Sequence, residues 1–311
     1  MPQIRPRAIT LSLVGPLLVF REKDSNKGTY GHVMVVAGSR AMSGAARLCS
    51  AAALRSGAGL VTAAVPGSVR QLVAAASTPE IMTLGLPESK EGTLSPRALP
   101  VLASYAAESK ITAAAVGPGL GSSAHINSFI EGLVNKISVP LVIDADALNA
   151  LATFYSQGCI PLLQTAKKGS IVTPHPGEMS RLTGLSVANV QKEREKTAAC
   201  FASTNHTVCV LKGYKTVVSD GSSVYINTTG NPGMATGGSG DVLTGIIAAL
   251  IPQVKEPRLL NAALCGVYVH GLAGDIAAMA MTEISLIAGD IIAALPQAFA
   301  RINGRRHLCA T

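Results

Sequence analysis

Val33-Met-Val-Val-Ala-Gly-Ser-Arg-Ala-Met-Ser-Gly-Ala-Ala-Arg-Leu-Cys-Ser-Ala-Ala-Ala-Leu-Arg-Ser56 decides the fold class. Its opening run, Val33–Ala37, is short, apolar and β-branched, as in a strand buried on both faces of a parallel sheet. Gly38 begins a turn, and the Ala-rich stretch from Gly44 to Ser56 suits a crossover helix. The same unit repeats downstream: runs at Leu60–Val65, Ile81–Leu86, Ile111–Val116, Leu141–Asp144 and Ile171–Thr173 alternate with helix-forming segments such as His125–Lys136. Strands spaced this way wind into a parallel sheet with helices on both faces. From Val208 the rhythm changes. Val208–Leu211, Thr216–Ser219 and Val224–Asn227 lie close together, and Asp220-Gly221 between the last two is a hairpin signal that predicts an antiparallel edge. Three helical stretches follow, roughly Ser239–Leu250, Leu259–Met279 and Ile284–Phe299, with Pro252 and Pro257 parting the first two. With no internal repeat and no long linker, residues 1–311 read as one three-layer α/β/α domain, its central sheet mostly parallel.

Composition narrows the function. The 311 residues are 48% hydrophobic and 14% charged, a globular balance rather than a disordered or fibrous one. Lys and Arg number 26 against 18 Asp and Glu, and the resulting +8 favours anionic partners. The charge is scattered; the one basic cluster is Arg301, Arg305 and Arg306. Aromatics are 4% with no Trp, too few stacking platforms for nucleic acid, so a small anionic ligand fits better. Cys49, Cys159, Cys200, Cys209, Cys265 and Cys309 form no C-x-x-C or Cys/His cluster, which reads as reduced thiols without zinc or a disulfide framework. Arg5, Arg7 and the run Ala8–Phe20 imitate a signal peptide, but no small-x-small site precedes Arg21-Glu-Lys-Asp24; an N-terminal element packed on the core is the expectation. No uncharged apolar run reaches the roughly 18 residues of a membrane span, Leu259–Gly274 being interrupted by Asn261 and His270.

The chemistry concentrates in Asn231-Pro-Gly-Met-Ala-Thr-Gly-Gly-Ser-Gly-Asp-Val-Leu-Thr-Gly245. Gly237, Gly238 and Gly240 precede an apolar helix, where missing Cβ atoms let a ligand approach and free N–H groups of the first turn make an anion site. Asp241 falls in that turn. A carboxylate is electrostatically awkward beside a phosphate unless it serves as a base, although Asp also favours helix starts for structural reasons alone. No Lys-Ser/Thr follows the glycines, so this is not a Walker A loop, and Gly117-Pro-Gly-Leu-Gly121 misplaces the third glycine of a dinucleotide fingerprint. Polar residues gather at other strand ends, where open α/β sheets bind ligands: Asp144, Asp146 and Asn149, then Thr173-Pro-His-Pro-Gly-Glu178, whose Glu178 could reach a metal-bound water or phosphate-bound Mg²⁺. Lys212-Gly-Tyr-Lys-Thr216 starts as a strand ends, and is either part of an adenine or phosphate pocket or a turn with solvated lysines.

Together with Lys27-Gly-Thr-Tyr-Gly-His32 and Gly38-Ser, Ser43-Gly-Ala45, these motifs resemble, in order and over about residues 25 to 295, the NAD(P)H-hydrate dehydratase family of the ribokinase-like superfamily. The resemblance implies a ribokinase-like fold. It also implies nucleotide-dependent dehydration of (S)-NADHX or (S)-NADPHX to NADH or NADPH, a metabolite repair reaction with ADP expected over ATP as phosphoryl donor and Mg²⁺ as cofactor. Carried over by position, Asp241 is the base that contacts the substrate, and Gly237, Gly238, Ser239 and Gly240 are the anion hole. Ala45, Gly121 and His175 bind the hydrate. Lys212, Gly213, Tyr214, Lys215 and Thr216, with Gly240, contact the nucleotide, and Glu178 organises Mg²⁺ through water. Roles for Asp144 and Asn149 come from the superfamily. Only about 25 residues precede the first motif, so an N-terminal epimerase domain is expected to be absent and its activity supplied by a separate protein. A cytoplasmic homo-oligomer with no nucleic-acid or membrane partner is the further expectation. A small-molecule kinase of the same superfamily is the nearest alternative, and an idle nucleotide-binding protein, against which Asp241 argues, is the other.

Overall fold

The computed structural model describes residues 5–19, 21–156 and 162–304. In chain order these form β1 (Arg7–Ile9), α1 (Leu11–Val14), β2 (His32–Val36), α2 (Ser43–Arg55), β3 (Leu60–Pro66), α3 (Arg70–Ala76), β4 (Ile81–Leu86), α4 (Ala98–Glu108), β5 (Ala113–Val116), α5 (Ala124–Lys136) and β6 (Leu141–Ile143). The second half contains α6 (Ala145–Ser156), β7 (Ser170–Val172), α7 (Pro176–Thr183), α8 (Val187–Lys192), α9 (Arg194–Asn205), β8 (Val208–Leu211), β9 (Val217–Ser219), β10 (Val224–Asn227), α10 (Ser239–Leu250), α11 (Arg258–Ser285) and α12 (Ala288–Ile302). Phe20, Cys159, Cys309, Arg305 and Arg306, used in the sequence reading, lie outside the described residues.

Side-chain alternation along the strands builds the layers. Val33 and Val35 of β2 face one way, with Val61, Ala113, Val142 and Val210, into a core closed by α2, α10, α11 and α12. Met34 and Val36 face the other way, with Ala114, Leu141, Val172 and Leu211, into a core closed by α4, α5, α6 and α9. Strands buried on both faces explain why the sequence shows continuous apolar runs instead of alternation.

The sheet has ten strands in the order β1-β10-β9-β8-β7-β6-β5-β2-β3-β4. β9 pairs antiparallel with β8 and with β10, giving the expected antiparallel segment, and the remaining pairs are parallel. Beyond it lies a strand that the sequence does not announce: β1, three residues long, pairs in parallel with β10, and the Thr228 hydroxyl donates to Ile9 O. This is the N-terminal element packed on the core. The chain runs outward from β2 to β4 and returns to β5 on β2's other side. That reversal leaves a crevice between the C-terminal ends of β2 and β5, where ligands bind in open α/β sheets.

The last helices differ from their expected bounds. α11 continues past Met279 to Ser285 across a break at Thr282 (φ 68°, ψ 157°), and α12 begins at Ala288, because the Asp290 carboxylate accepts from Ile287 N–H at 2.9 Å and fixes the helix start there. By length and composition α11 could cross a bilayer. Its residues Leu260 to Gly274 are instead largely buried in the core beside α10 and α12.

Candidate active site

The glycine loop lies on α11. Asp275 accepts from Gly230 N–H and from the Asn231 amide, both at 3.0 Å, and Thr229 donates to Tyr268 O. Gly271 and Gly274 permit this contact: a Cβ on the first would meet Thr229 Oγ1, and one on the second would meet Met234 Sδ. The loop turns into α10 at Gly238, whose left-handed φ of 87° suits glycine and whose missing Cβ leaves room for Leu48. No side chain caps α10. Among the described residues no hydrogen bond engages the N–H of Gly237, Gly238, Gly240 or Asp241, whereas Ser239 N–H reaches Thr236 O at 3.4 Å. Thus three of the four expected anion-hole donors are open. Ser239 N–H is the one already bonded, and Asp241 N–H beside it is open as well. A Cβ on Gly237 would meet nothing within 4 Å, so its absence serves access from outside.

Behind the loop lies a buried charge cluster. Asp144, at the end of β6, is 1% exposed; its Oδ1 accepts from Lys212 Nζ at 2.6 Å and its Oδ2 from Thr244 Oγ1 at 2.7 Å. Lys212 also lies 3.7 Å from Glu178 Oε2. Burial works against the Lys212 charge, but Asp144, Glu178 and Asp241 together hold its pKa above the usual lysine value. Sequence reading places Lys212 on the nucleotide. In the structure Lys212 is the cation of a carboxylate cluster beside the loop, and a Cβ on Gly240 would stand 3.3 Å from its Nζ. Its neighbours Gly213, Tyr214, Lys215 and Thr216 form the rim, where the Tyr214 side chain is exposed and Lys215 packs over its ring. Arg194, which sequence reading passed over, holds this rim by donating to Leu211 O and Lys212 O. Burial, then the nearby Asp144 charge, raises the Asp241 carboxyl pKa to about 7, with Lys212 opposing. A carboxyl poised there can accept a proton near neutral pH.

His175 and Glu178 are bound to each other. His175 caps α7: its Nδ1 accepts from Gly177 N–H at 3.0 Å and Glu178 N–H at 3.3 Å, which leaves the proton of the neutral ring on Nε2, 3.3 Å from Glu178 Oε1. Glu178 Oε2 accepts from His175 N–H at 2.8 Å. This reciprocal cap fixes the ring beside Glu178 at the start of α7, with the His175 side chain half exposed. Burial, Lys212 and Arg181 lower its pKa. Burial raises that of Glu178, against the pull of Lys212.

Ala45 and Gly121 belong to two turns that meet at the crevice through Gly119. A Cβ on Gly119 would strike Ala45, and Gly38 N–H donates to Pro118 O, so the two turns after β2 and β5 lie against each other. Gly121 N–H is taken by Asp146 Oδ2 at 2.8 Å, which explains Asp146 and leaves Gly121 to contribute shape instead of a donor. Asn149 stands apart. Its Oδ1 accepts from Arg181 Nε at 2.9 Å and joins α6 to α7. A cavity of about 680 Å³ lies elsewhere, lined by Leu54, Arg55, Gln253, Pro296 and Phe299, and none of the predicted site residues lines it.

Among the described residues no group of three or more His, Cys, Asp or Glu side chains could hold a metal by itself. The oxygen donors present fit Mg²⁺ differently: this ion keeps several waters and is carried on substrate phosphates with one or two carboxylates. Glu178, whose Oε2 accepts from His175 N–H and lies 3.7 Å from Lys212 Nζ, is one such carboxylate.

A family model described as NAD(P)H-hydrate dehydratase matches residues 33–297. A bifunctional NAD(P)H-hydrate repair enzyme of Moorella thermoacetica is 46% identical over 293 residues, which cover 93% of this chain and 53% of that protein. An ADP-dependent (S)-NAD(P)H-hydrate dehydratase of Neisseria meningitidis is 38% identical, with 87% of this chain and 86% of that protein covered. Among solved structures, the ADP/ATP-dependent NAD(P)H-hydrate dehydratase of Bacillus subtilis, co-crystallised with ATP and Mg²⁺, superposes with a TM-score of 0.81 at 30% identity, covering 97% of this chain and 100% of that one. The chain spans about half the length of the bifunctional relatives it matches.

Proposed function

The chain belongs to the NAD(P)H-hydrate dehydratase family, with its ribokinase-like fold, and from that premise we propose that it dehydrates (S)-NADHX and (S)-NADPHX to NADH and NADPH, with ADP as phosphoryl donor. One observation carries the reading: a carboxyl with a pKa near 7 stands in the same helical turn as open backbone donors. A hydroxide is a poor leaving group, and the reaction needs it converted to a phosphate. Asp241 accepts the proton of the hydrate's hydroxyl as that oxygen attacks the terminal phosphorus of the nucleotide. The N–H groups of Gly237, Gly238 and Gly240 face the transferring group, where fixed dipoles stabilise developing charge without reorganising. The ring nitrogen lone pair then expels phosphate, and loss of a neighbouring ring proton restores the dihydropyridine; ADP leaves as AMP. Lys212, fixed by Asp144, keeps a positive charge beneath the loop. Mg²⁺, held through water by Glu178 and carried on the phosphates, would supply further charge neutralisation.

The test is recovery of the NADH absorbance band after purified protein is mixed with chemically prepared hydrate, Mg²⁺ and either ADP or ATP. Recovery with ADP, and none without nucleotide, is the expected result. Recovery with ATP alone would overturn the choice of donor. No recovery with either, from folded protein, would overturn the dehydratase reading in favour of a small-molecule kinase.

A further inference from the structure

The amides of the glycine loop have a support that the reaction above does not use. His270 reaches the loop from α11, and its Nε2 lies 3.0 Å from Ser239 O and 3.3 Å from Ser239 Oγ. A carbonyl only accepts, so Nε2 carries the proton and the carbonyl is its nearer acceptor. The other α11 contacts hold the back of the loop: Asp275 on Gly230 and Asn231, Tyr268 O on Thr229, and Gly274 against Met234. His270 alone among these reaches the first turn of α10. The bond ends on the carbonyl of the peptide whose other end is Gly240 N–H, one of the donors that meet no acceptor among the described residues.

We infer that His270 is a positioning residue for the anion site, donating to Ser239 O so that the Ser239–Gly240 peptide is polarised and its Gly240 N–H is held toward the bound anion. Drawing electron density to the carbonyl oxygen leaves the amide proton more positive, since hydrogen bonds in a chain polarise one another. The bond also anchors a helix start that has no side-chain cap, and a fixed donor costs nothing to reorganise when charge develops. Burial lowers the His270 pKa to about 4, so the ring stays neutral and the support does not titrate in the working range. Gly240 sits over the Lys212–Asp144 pair without a Cβ, which sets this peptide close to the one cation of the cluster. That the anion is a phosphoryl group rests on the function proposed above; the His270 support does not.

Two variants separate positioning from packing. His270→Leu removes the donor and keeps an apolar volume, whereas His270→Gln retains an N–H that can reach the same carbonyl. The Gly240 amide resonance in ¹H–¹⁵N spectra of the nucleotide-free protein is the readout independent of activity. It should move upfield in His270→Leu and return toward the wild-type position in His270→Gln. Inorganic phosphate and ADP should bind on the order of tenfold more weakly to the Leu variant, and kcat should fall on the order of tenfold with the hydrate KM little changed; the Gln variant should recover most of both. An unmoved Gly240 resonance in a folded Leu variant, or equal losses in Leu and Gln, overturns the inference. Should wild type bind phosphate but not turn over the hydrate, the functional proposal fails, and the resonance and phosphate affinities still decide the role of His270.

Discussion

The pKa of Asp241 makes the acid limb of the rate profile a direct test of its role. Burial and the Asp144 charge raise this carboxyl to about 7, so about one molecule in eleven carries the base at pH 6 and about ten in eleven at pH 8. With ADP saturating and initial rates followed at the NADH band, kcat/KM should climb on the order of tenfold between those values and level off above them. The terminal phosphate of the nucleotide titrates near 6 and would give a limb of its own. Asp144→Asn distinguishes the two. It removes the second-largest cause of the shift and leaves an amide between Lys212 and Thr244, so a limb belonging to Asp241 should move toward acid, on the order of one unit, while a limb belonging to the nucleotide stays in place. A flat profile from pH 5.5 to 8.5, or a limb unmoved by Asp144→Asn, would refute the assignment of Asp241 as the base.

Asp241→Asn should stabilise the fold more at pH 8 than at pH 5. The native carboxyl holds its proton up to about 7 while the unfolded one releases it near 4, so the wild-type contribution to stability falls as pH rises through that window; Tm at the two pH values measures it, with a differential of at most about 3 kcal/mol. Lys212→Met should cost about 3 kcal/mol in urea melts at pH 7, because it leaves Asp144, 1% exposed, with Thr244 as its remaining partner. Gly237→Ala should melt like wild type, having nothing within 4 Å of the new methyl, yet bind ADP on the order of tenfold more weakly by calorimetry. Gly238→Ala should lose more than about 1 kcal/mol of stability, since φ there is 87° and Leu48 fills the space.

What could be read from the sequence followed the periodicity of the signal. β2 to β8 lie within two residues of their predicted positions because apolar runs bounded by glycine and polar turns are local features, and the hairpin of β9 and β10 was marked by Asp220-Gly221. β1 was hidden, since three residues that pair in parallel with β10 carry no periodicity of their own. At the site, residues that act through the backbone were legible: Gly237, Gly238 and Gly240 announce a helix start open to an anion. Side chains that act through distant partners were not. Lys212 looks like a turn lysine until β6 brings Asp144 to 2.6 Å, and Asp146 gains a purpose only where Gly121 meets it. His270 was hidden most completely, because an isolated histidine in an apolar helix gives no local sign of the carbonyl it reaches 31 residues back.

The electrostatics of the cluster bear on how one pocket can hold both a polyanion and its base. Asp144, Glu178 and Asp241 converge on a single lysine, and with every carboxyl ionised the pocket would repel phosphate. Burial prevents that state. Asp144 takes the lysine at 2.6 Å, Glu178 is turned into the α7 cap with its pKa raised, and Asp241, pushed up to about 7, is protonated in about half of the molecules at neutral pH. In the proposed reaction the groups that meet the phosphate are then neutral peptide dipoles, which carry no desolvation penalty comparable to that of a buried ion. An arriving hydroxyl finds a carboxyl whose affinity for its proton has been raised by the same burial that lowers the repulsion. Base strength and tolerance of the anion therefore have one cause, the placing of Asp241 at a helix start above an already neutralised lysine, and a change that exposes the cluster should weaken both together.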